Sequence, residues 1–204
     1  MNRKFLITLL FIAVGTFTSS AQVGINLGVK TGVNYSGFTG GIGIEFGVLG
    51  DLDMHYGVIA DFKFSDKISI QPEILYSSRN GQAKTKPGDD RRFSFVTNRS
   101  YIDIPVNFKY ALFSKFYIEV GPQISFLATE DNVVTFYDKT SEKLIDSFDS
   151  SSTDLSANIG VSFAPINKLL FQLRLNTGFT KVVETFHSKN SMLSLSVAYN
   201  FLNI

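Results

Sequence analysis

The chain contains neither cysteine nor tryptophan, and it is poor in charge. Without cysteine there is no disulfide, no thiolate chemistry and no lipid attached through an N-terminal cysteine. Charged residues make up 18% of the 204 residues, against roughly 25% in soluble domains. The formal net charge of +1 offers no basic excess for phosphate groups, so nucleic acid is not an expected partner. Aromatic residues are abundant. Twenty Phe and eight Tyr predict a large apolar surface that must be kept away from water.

The first 21 residues have the layout of a secretory signal peptide. Arg3 and Lys4 give a basic start, residues 5–17 are apolar, and Ser19 and Ala21 are small side chains where a signal peptidase cuts. The apolar run is shorter than the roughly 20 residues that span a bilayer as a helix, and no later run reaches that length. We therefore expect residues 1–21 to be a signal peptide and residues 22–204 to form one exported domain.

Apolar and polar residues alternate with a period of two in eight windows, and no helical stripe competes with them. A window of about ten residues, rising about 3.3 Å per residue at a tilt near 40°, spans roughly 25 Å. That is the height of the apolar band of an outer-membrane barrel, whereas soluble strands average about 5 to 6 residues. The windows are residues 23–35, 55–64, 67–77, 100–112, 115–127, 155–164, 168–179 and 192–201.

The connections between these windows alternate in length. Residues 65–66, 113–114 and 165–167 are short, whereas 36–54, 78–99, 128–154 and 180–191 are long. An even strand count with short periplasmic turns and long extracellular loops is typical of a bacterial outer-membrane barrel. A soluble barrel such as a lipocalin also has eight strands but has no reason to sort its loops onto one rim. The pattern therefore predicts an all-β protein, an eight-stranded antiparallel up-and-down transmembrane β-barrel in the outer membrane.

One face of the predicted strands carries charged side chains among Asn, Gln, Gly and Ser. Facing lipid, each cation at mid-depth costs about 2 to 4 kcal/mol and each carboxylate somewhat less, so eight such charges would cost on the order of 10 to 20 kcal/mol. Facing inward, four cations offset four carboxylates and can form a paired polar core, because an eight-stranded lumen is just wide enough for side chains. The predicted lumen charge network is Lys30, Asp61, Lys63, Glu73, Asp103, Lys109, Glu119 and Arg174.

Aromatic residues fall near both ends of the predicted strands, as interfacial girdles would. At the loop ends these are Tyr35, Tyr56, Tyr76, Tyr101, Phe126 and Phe179. At the turn ends they are Phe64, Tyr110, Phe116, Phe163, Phe171, Tyr199 and Phe201.

Four stretches carry a family resemblance: "DFKFSDKISIQPEILYSS", "YIDIPVNFKY", "FYIEVGPQISFL" and the closing "KNSMLSLSVAYNF". Their most specific feature is proline inside three successive predicted strands, at Pro72, Pro105 and Pro122, since proline is uncommon within strands. On these stretches the chain resembles the PorT-like outer-membrane β-barrel family of Gram-negative bacteria, over essentially the whole mature chain. The resemblance implies an eight-stranded outer-membrane barrel, and it supplies no catalytic residues to carry over to this chain. Most members of that family have no assigned activity, and one is tied to protein secretion.

Two histidines are candidates for chemistry. His55 and His187 fall near the predicted extracellular rim, and Glu184 and Ser188 lie beside the second. Some eight-stranded barrels that modify lipid A use His, Ser and a carboxylate near that border, so a lipid A-modifying enzyme is an alternative. No motif joins these residues, and histidines in loops are usually solvated. We therefore predict that the protein is not an enzyme and has no catalytic residues.

No cofactor or metal site is predicted. The glycine-rich residues 40–47 do not match the dinucleotide-binding fingerprint, because the spacing is wrong and no helix follows. Acidic residues without ligand spacing are usually solvated rather than bound to a divalent cation. These are Asp51, Asp53, Asp89 and Asp90.

The second and third long connections differ in charge. Residues 78–99 are mainly basic and residues 128–154 mainly acidic, so the two could pair across the rim. A basic loop could instead hold lipopolysaccharide phosphates or an acidic partner. We expect a non-enzymatic structural or interaction protein whose partners are outer-membrane lipid and lipopolysaccharide, with a protein at its outer loops as a further candidate partner. A narrow solute channel is a further alternative, although a filled eight-stranded interior disfavours a general porin.

Overall fold

The described residues form eight long antiparallel strands and one two-residue strand. The computed structural model describes residues 24–39, 49–50, 52–84, 93–136, 152–179 and 189–204. The predicted signal peptide lies outside these residues. The strands are β1 (Gly24–Thr39), β2 (Leu49–Gly50), β3 (Leu52–Lys63), β4 (Ile68–Lys84), β5 (Phe93–Phe113), β6 (Phe116–Phe136), β7 (Thr153–Ile166), β8 (Leu169–Gly178) and β9 (Lys189–Asn203).

The eight long strands close into a barrel. Each pairs antiparallel with its sequence neighbour, β1 pairs with β9, and the pairing of β4 with β5 completes the ring. Strand β2 adds two rungs to β4. Closure gives every wall strand two neighbours, so the barrel has no open edge. The predicted eight-stranded antiparallel barrel is confirmed. No helix in the described part of the chain is long and apolar enough to cross a membrane.

The outer face of the barrel is apolar and the inner face is polar. On β8, Phe171, Leu173 and Leu175 are each 43–45% exposed. The residues between them are Gln172, Arg174 and Asn176, and each is at most 5% exposed. The other wall strands alternate in the same way. A soluble protein buries its apolar face, so this arrangement suits a wall in contact with lipid.

Three strands continue well past the predicted windows on the loop side. Pairing of β4 with β5 extends to Lys84↔Ser94, and pairing of β5 with β6 extends to Phe93↔Phe136. The predicted loops at 78–99 and 128–154 therefore contain paired strand, which corrects the prediction. The physical reason is that outward residues above the lipid layer need not be apolar, so the two-residue period fades while backbone pairing continues.

The short turns lie where the sequence predicts them. They occupy residues 64–67, 114–115 and 167–168. In the first turn the Ser65 hydroxyl accepts hydrogen bonds from the backbone N–H groups of Lys67, at 3.3 Å, and Ile68, at 3.1 Å. Such a serine bond is a common way to close a tight connection.

The strand prolines coincide with interruptions of the hydrogen-bond ladder. Between β4 and β5 the regular pairing stops after Pro72↔Val106 and resumes at Leu75↔Asp103. Between β5 and β6 it likewise stops after Pro105↔Gln123 and resumes at Phe108↔Val120. Proline has no N–H to donate, so each one removes a rung from the wall.

Candidate functional site

The middle of the lumen holds a connected group of buried charges, here called the Glu73 cluster: Lys30, Glu73, Glu119 and Arg174. Glu73 accepts hydrogen bonds from Lys30 Nζ at 3.0 Å and from both terminal nitrogens of Arg174 at 3.1 and 2.9 Å. Arg174 Nη2 also donates to Glu119 Oε2 at 2.6 Å. All four residues are at most 5% exposed. One guanidinium therefore links two carboxylates from different strands.

Neutral amides extend the Glu73 cluster towards the turn side. Gln71 donates to Glu73 at 2.7 Å and accepts from Lys109 Nζ at 2.8 Å. Lys109 Nζ also lies 3.6 Å from Asp61 Oδ2 and 5.1 Å from the centre of the Tyr117 ring. Three cations and three carboxylates are joined in this way, so the network is electrically balanced, as a buried polar core requires.

Asp103 belongs to a separate group nearer the loop side, here called the Arg79 cluster. Arg79 Nη2 donates to Asp103 at 2.6 Å and to Ser125 Oγ at 3.2 Å, while its Nη1 lies 3.6 Å from Asp154 Oδ2. The guanidinium also stacks over the Tyr101 ring at 4.4 Å. Tyr101 is only 1% exposed, so its predicted place in a lipid-facing girdle is wrong. It faces inward because it shares the inner face of β5 with Asp103.

Lys63 is the exception among the eight predicted network residues. The other seven are buried in the lumen, but Lys63 is exposed at the end of β3. Although it lies on the inner face of its strand, it is beyond the last buried rung, where water solvates the ammonium. Lys63 is therefore no part of the buried network, which corrects the prediction.

His55 is buried in the lumen rather than solvated at a rim. It is 3% exposed, and its Nε2 lies 2.9 Å from Ser196 Oγ. The ring reaches Ser196 across Gly32, which pairs with both residues. A Cβ at Gly32 would lie 2.6 Å from His55 Cε1, so only glycine leaves room for this bridge. The predicted rim group of His187, Glu184 and Ser188 lies outside the described residues.

The loop-side rim is also ion-paired. Arg99 Nε and Nη2 both lie 2.8 Å from Glu130 Oε1. Asn80 donates from its backbone N–H and its amide to the Asp53 carboxylate at 2.7 and 2.6 Å. Arg99 and Glu130 come from the basic and acidic segments that the sequence suggested could pair across the rim.

The described residues contain no group of three or more His, Cys, Asp or Glu that could hold a metal ion. Asp53, which the sequence analysis treated as solvated, is buried at 4% exposure. It was misjudged because residues 36–54 were read as a loop, whereas β3 begins at Leu52. Asp51, Asp89 and Asp90 lie outside the described residues.

Between the Glu73 and Arg79 clusters lies one small cavity, bordered by Lys30, His55, Asp103 and Arg174 among others. The centre of a water-sized sphere can occupy about 10 Å³ of it, which is close to the least that holds one water molecule. Ile59, Leu170 and Ala198 form a small apolar group in the lumen, and each is at most 4% exposed. Around this cavity, side chains therefore fill most of the described part of the lumen.

A polar, ion-paired interior behind an apolar outer wall defines the class of small membrane-spanning β-barrels. Residues 17–184 match the family model described as outer membrane protein beta-barrel domain. The chain belongs to this family, and the protein is a small barrel of the outer membrane. Its short turns therefore face the periplasm and its long connections the cell exterior.

Solved structures with a similar fold are also outer-membrane barrels. Neisserial surface protein A is 14% identical, with 86% of this chain and 97% of that chain covered and a TM-score of 0.50. Ail of Yersinia pestis is 11% identical over 87% and 99% of the two chains, with a TM-score of 0.46. OprG of Pseudomonas aeruginosa is 15% identical over 88% and 95%, with a TM-score of 0.41. At these identities the likeness concerns the fold alone. No curated protein matches the chain.

Proposed function

We propose that the protein is a non-enzymatic outer-membrane barrel that acts as a structural or interaction protein through its extracellular side. The observation that carries this proposal is the extension of three adjacent strands, β4, β5 and β6, beyond the end of the barrel wall. Strand β7 begins at Thr153 opposite Phe126, whereas β6 continues to Phe136. Ten further residues of strand correspond to a rise on the order of 30 Å along β6. We call this three-stranded extension the outer sheet.

The base of the outer sheet is held by buried ion pairs. Arg79 on β4 and Asp154 on β7 are joined at 3.6 Å, and Arg99 on β5 pairs with Glu130 on β6. Their side chains are at most 14% exposed, so these pairs are less screened by salt than surface pairs. A surface held in one conformation loses less entropy on binding, which favours recognition of a lipid, glycan or protein at the cell exterior.

The packing of the lumen favours this proposal over a narrow solute channel and over a lipid A-modifying enzyme. A cavity that accommodates about one water, bordered by buried charged side chains, leaves little room for a solute path at this level of the lumen. The His55–Ser196 pair is buried at 3 and 4% exposure, where a lipid substrate has no access in this conformation. We take the pair as a cross-strand bridge between β3 and β9.

The β4 and β5 part of the outer sheet can be shortened without touching the lumen. In the trimmed variant, residues 82–96 are replaced by Asn-Gly, so that Gly81 and Thr97, which pair directly, flank a two-residue hairpin turn. In cells that lack the native protein, the trimmed variant should still fold, which is seen as a mobility shift between unboiled and boiled gel samples. It should fail to restore the phenotype that loss of the native protein causes. The matched control is Gln123→Asn, a lumen change that should fold and restore it. Full restoration by the trimmed variant would refute the proposal.

The two alternatives have direct tests. A narrow channel would give single-channel conductance in planar bilayers, and we expect none. A lipid A-modifying enzyme would change the mass profile of lipid A when His55 or His187 is replaced by Gln, and we expect the profile to match that of wild-type cells.

The narrower PorT-like membership, with its link to secretion, stays a prediction that rests on the resemblance of the proline-containing strands. If it holds, cells lacking the protein should accumulate secreted proteins in the periplasm. An unchanged set of exported proteins would leave membership in the broader outer-membrane barrel family intact and remove the secretion link.

A further inference from the structure

The periplasmic end of the barrel carries a ring of exposed lysines that the loop-side function does not use. We propose that this ring binds a carboxylate-rich, extended segment of a periplasmic protein. The lysine ring is Lys63, Lys67, Lys115 and Lys168, and all four are exposed. In the three short turns and the two residues on either side of each, the only other charged residue is Asp66. The turn side is therefore clearly cationic in a chain whose overall net charge is only +1.

Three of these lysines occupy equivalent positions in three different hairpins. Each directly precedes the second strand of its hairpin, and its carbonyl accepts the backbone N–H of the next wall strand. Lys67 accepts from Ala111, Lys115 from Ala164 at 2.9 Å, and Lys168 from Asn200. These bonds continue the ladder by one rung, so the three lysines are held at the same level of the barrel rim.

The strand alternation directs the ring towards the barrel axis rather than towards lipid. Lys67 lies two residues before buried Ser69, and Lys168 lies two residues before buried Leu170. Lys63 follows buried Asp61 by two residues, and Lys115 shares the parity of the buried Glu119. Successive inward positions in a strand are two residues apart. The four ammonium groups therefore border the periplasmic mouth.

Carboxylates of the lumen do not neutralise the ring. Asp61 lies 3.6 Å from Lys109, and Glu119 is bonded to Arg174 and Gln172. The apolar group of Ile59, Leu170 and Ala198 adds no charge at this end. Lys115 Nζ donates to the Pro165 carbonyl at 3.0 Å, which holds the ammonium at the rim and leaves two of its N–H groups for a ligand.

The spacing of the ring favours an extended polyanion. Lys67, Lys115 and Lys168 precede alternate wall strands, and neighbouring strands are about 4.8 Å apart, so successive lysines are on the order of 10 Å apart along the rim. A single phosphate is too small to bridge that distance. Lipid headgroups surround the barrel rather than its mouth. An extended acidic peptide, with carboxylates on one face roughly every 7 Å, can contact several lysines together.

The test uses the full-length protein in nanodiscs of zwitterionic phosphatidylcholine and a fluorescent ten-residue oligoglutamate as probe. Anisotropy should show binding that weakens as sodium chloride is raised, because exposed charges are screened. The K63Q/K67Q/K115Q/K168Q variant should keep its heat-dependent gel shift and lose about tenfold or more in affinity. Equal affinity of this variant and the wild type would overturn the proposal.

A matched control removes the same number of positive charges elsewhere. The K86Q/K139Q/K143Q/K181Q variant changes only lysines of the predicted outer loops and should bind the probe as the wild type does. Inorganic phosphate and vesicles containing phosphatidylglycerol distinguish other anions. If these bind through the lysine ring while oligoglutamate does not, the assignment of the partner as an acidic protein segment is wrong.

Discussion

The Glu73 and Arg79 clusters occupy the same lumen but differ in balance and surroundings. The Glu73 cluster and its extension pair three cations with three carboxylates, and Lys30 and Arg174 of the cluster border the small cavity. The Arg79 cluster places one guanidinium between Asp103 and Asp154 and lies towards the loop end. The comparison predicts that losing a charge costs more in the Glu73 cluster, where Glu73 contacts two buried cations, than in the Arg79 cluster nearer the loop end.

The largest effect is expected from Glu73→Gln. The change leaves Arg174 and Lys30 without their shared carboxylate, and removing one partner of a buried pair typically costs about 3 to 5 kcal/mol. Urea unfolding in lipid vesicles, followed by far-UV circular dichroism, measures the free energy of unfolding. The Glu73→Gln/Arg174→Met double variant should lose less than the sum of the two single changes. Additive losses would mean that the two side chains do not interact.

A smaller loss is expected from Arg79→Met, about 2 to 3 kcal/mol, the scale of charged hydrogen bonds. Water from the loop side can partly solvate Asp103 and Asp154 after the guanidinium is gone. The same unfolding measurement applies, with Ser125→Ala as a control that removes only a 3.2 Å hydrogen bond to the guanidinium. A loss larger than that of Glu73→Gln would reverse the proposed difference between the two levels.

His55→Ala should cost about 1 kcal/mol for its single hydrogen bond to Ser196, with an added loss for the cavity it leaves. Gly32→Ala should cost more than an ordinary surface change, because its Cβ would clash with the Leu195 carbonyl oxygen as well as with His55. In the His55→Ala background, Gly32→Ala should therefore remain destabilising. A neutral Gly32→Ala would show that the bridge does not need the glycine.

The smallest effect is expected from Lys63→Gln. The side chain is exposed, and surface substitutions usually change the free energy of unfolding by less than about 0.5 kcal/mol. Lys30→Gln is the matched comparison, since the same substitution at a buried lysine removes a 3.0 Å ion pair. Equal losses at the two positions would place Lys63 inside the network after all.

Predictability from sequence differs between these regions for a physical reason. Alternation along a strand is local, so the inward positions of Glu73, Lys109 and Arg174 could be predicted from a few neighbouring residues. Arg79 and Asp154 were missed as lumen residues because they lie past the apolar windows, inside segments read as loops. His55 was misjudged because nothing local shows that Gly32 leaves room beside it.

The closed barrel, its inward and outward faces and the side on which its turns are short can all be predicted from the sequence. These follow from a period of two, the cost of charge in lipid and the spacing of turns. Which cation pairs with which carboxylate follows instead from the folded barrel. Arg174 and Glu73 are 101 residues apart, and strand stagger and barrel closure bring them together. Lys63 lies beyond the last buried rung of β3, so its side chain is exposed at the periplasmic rim.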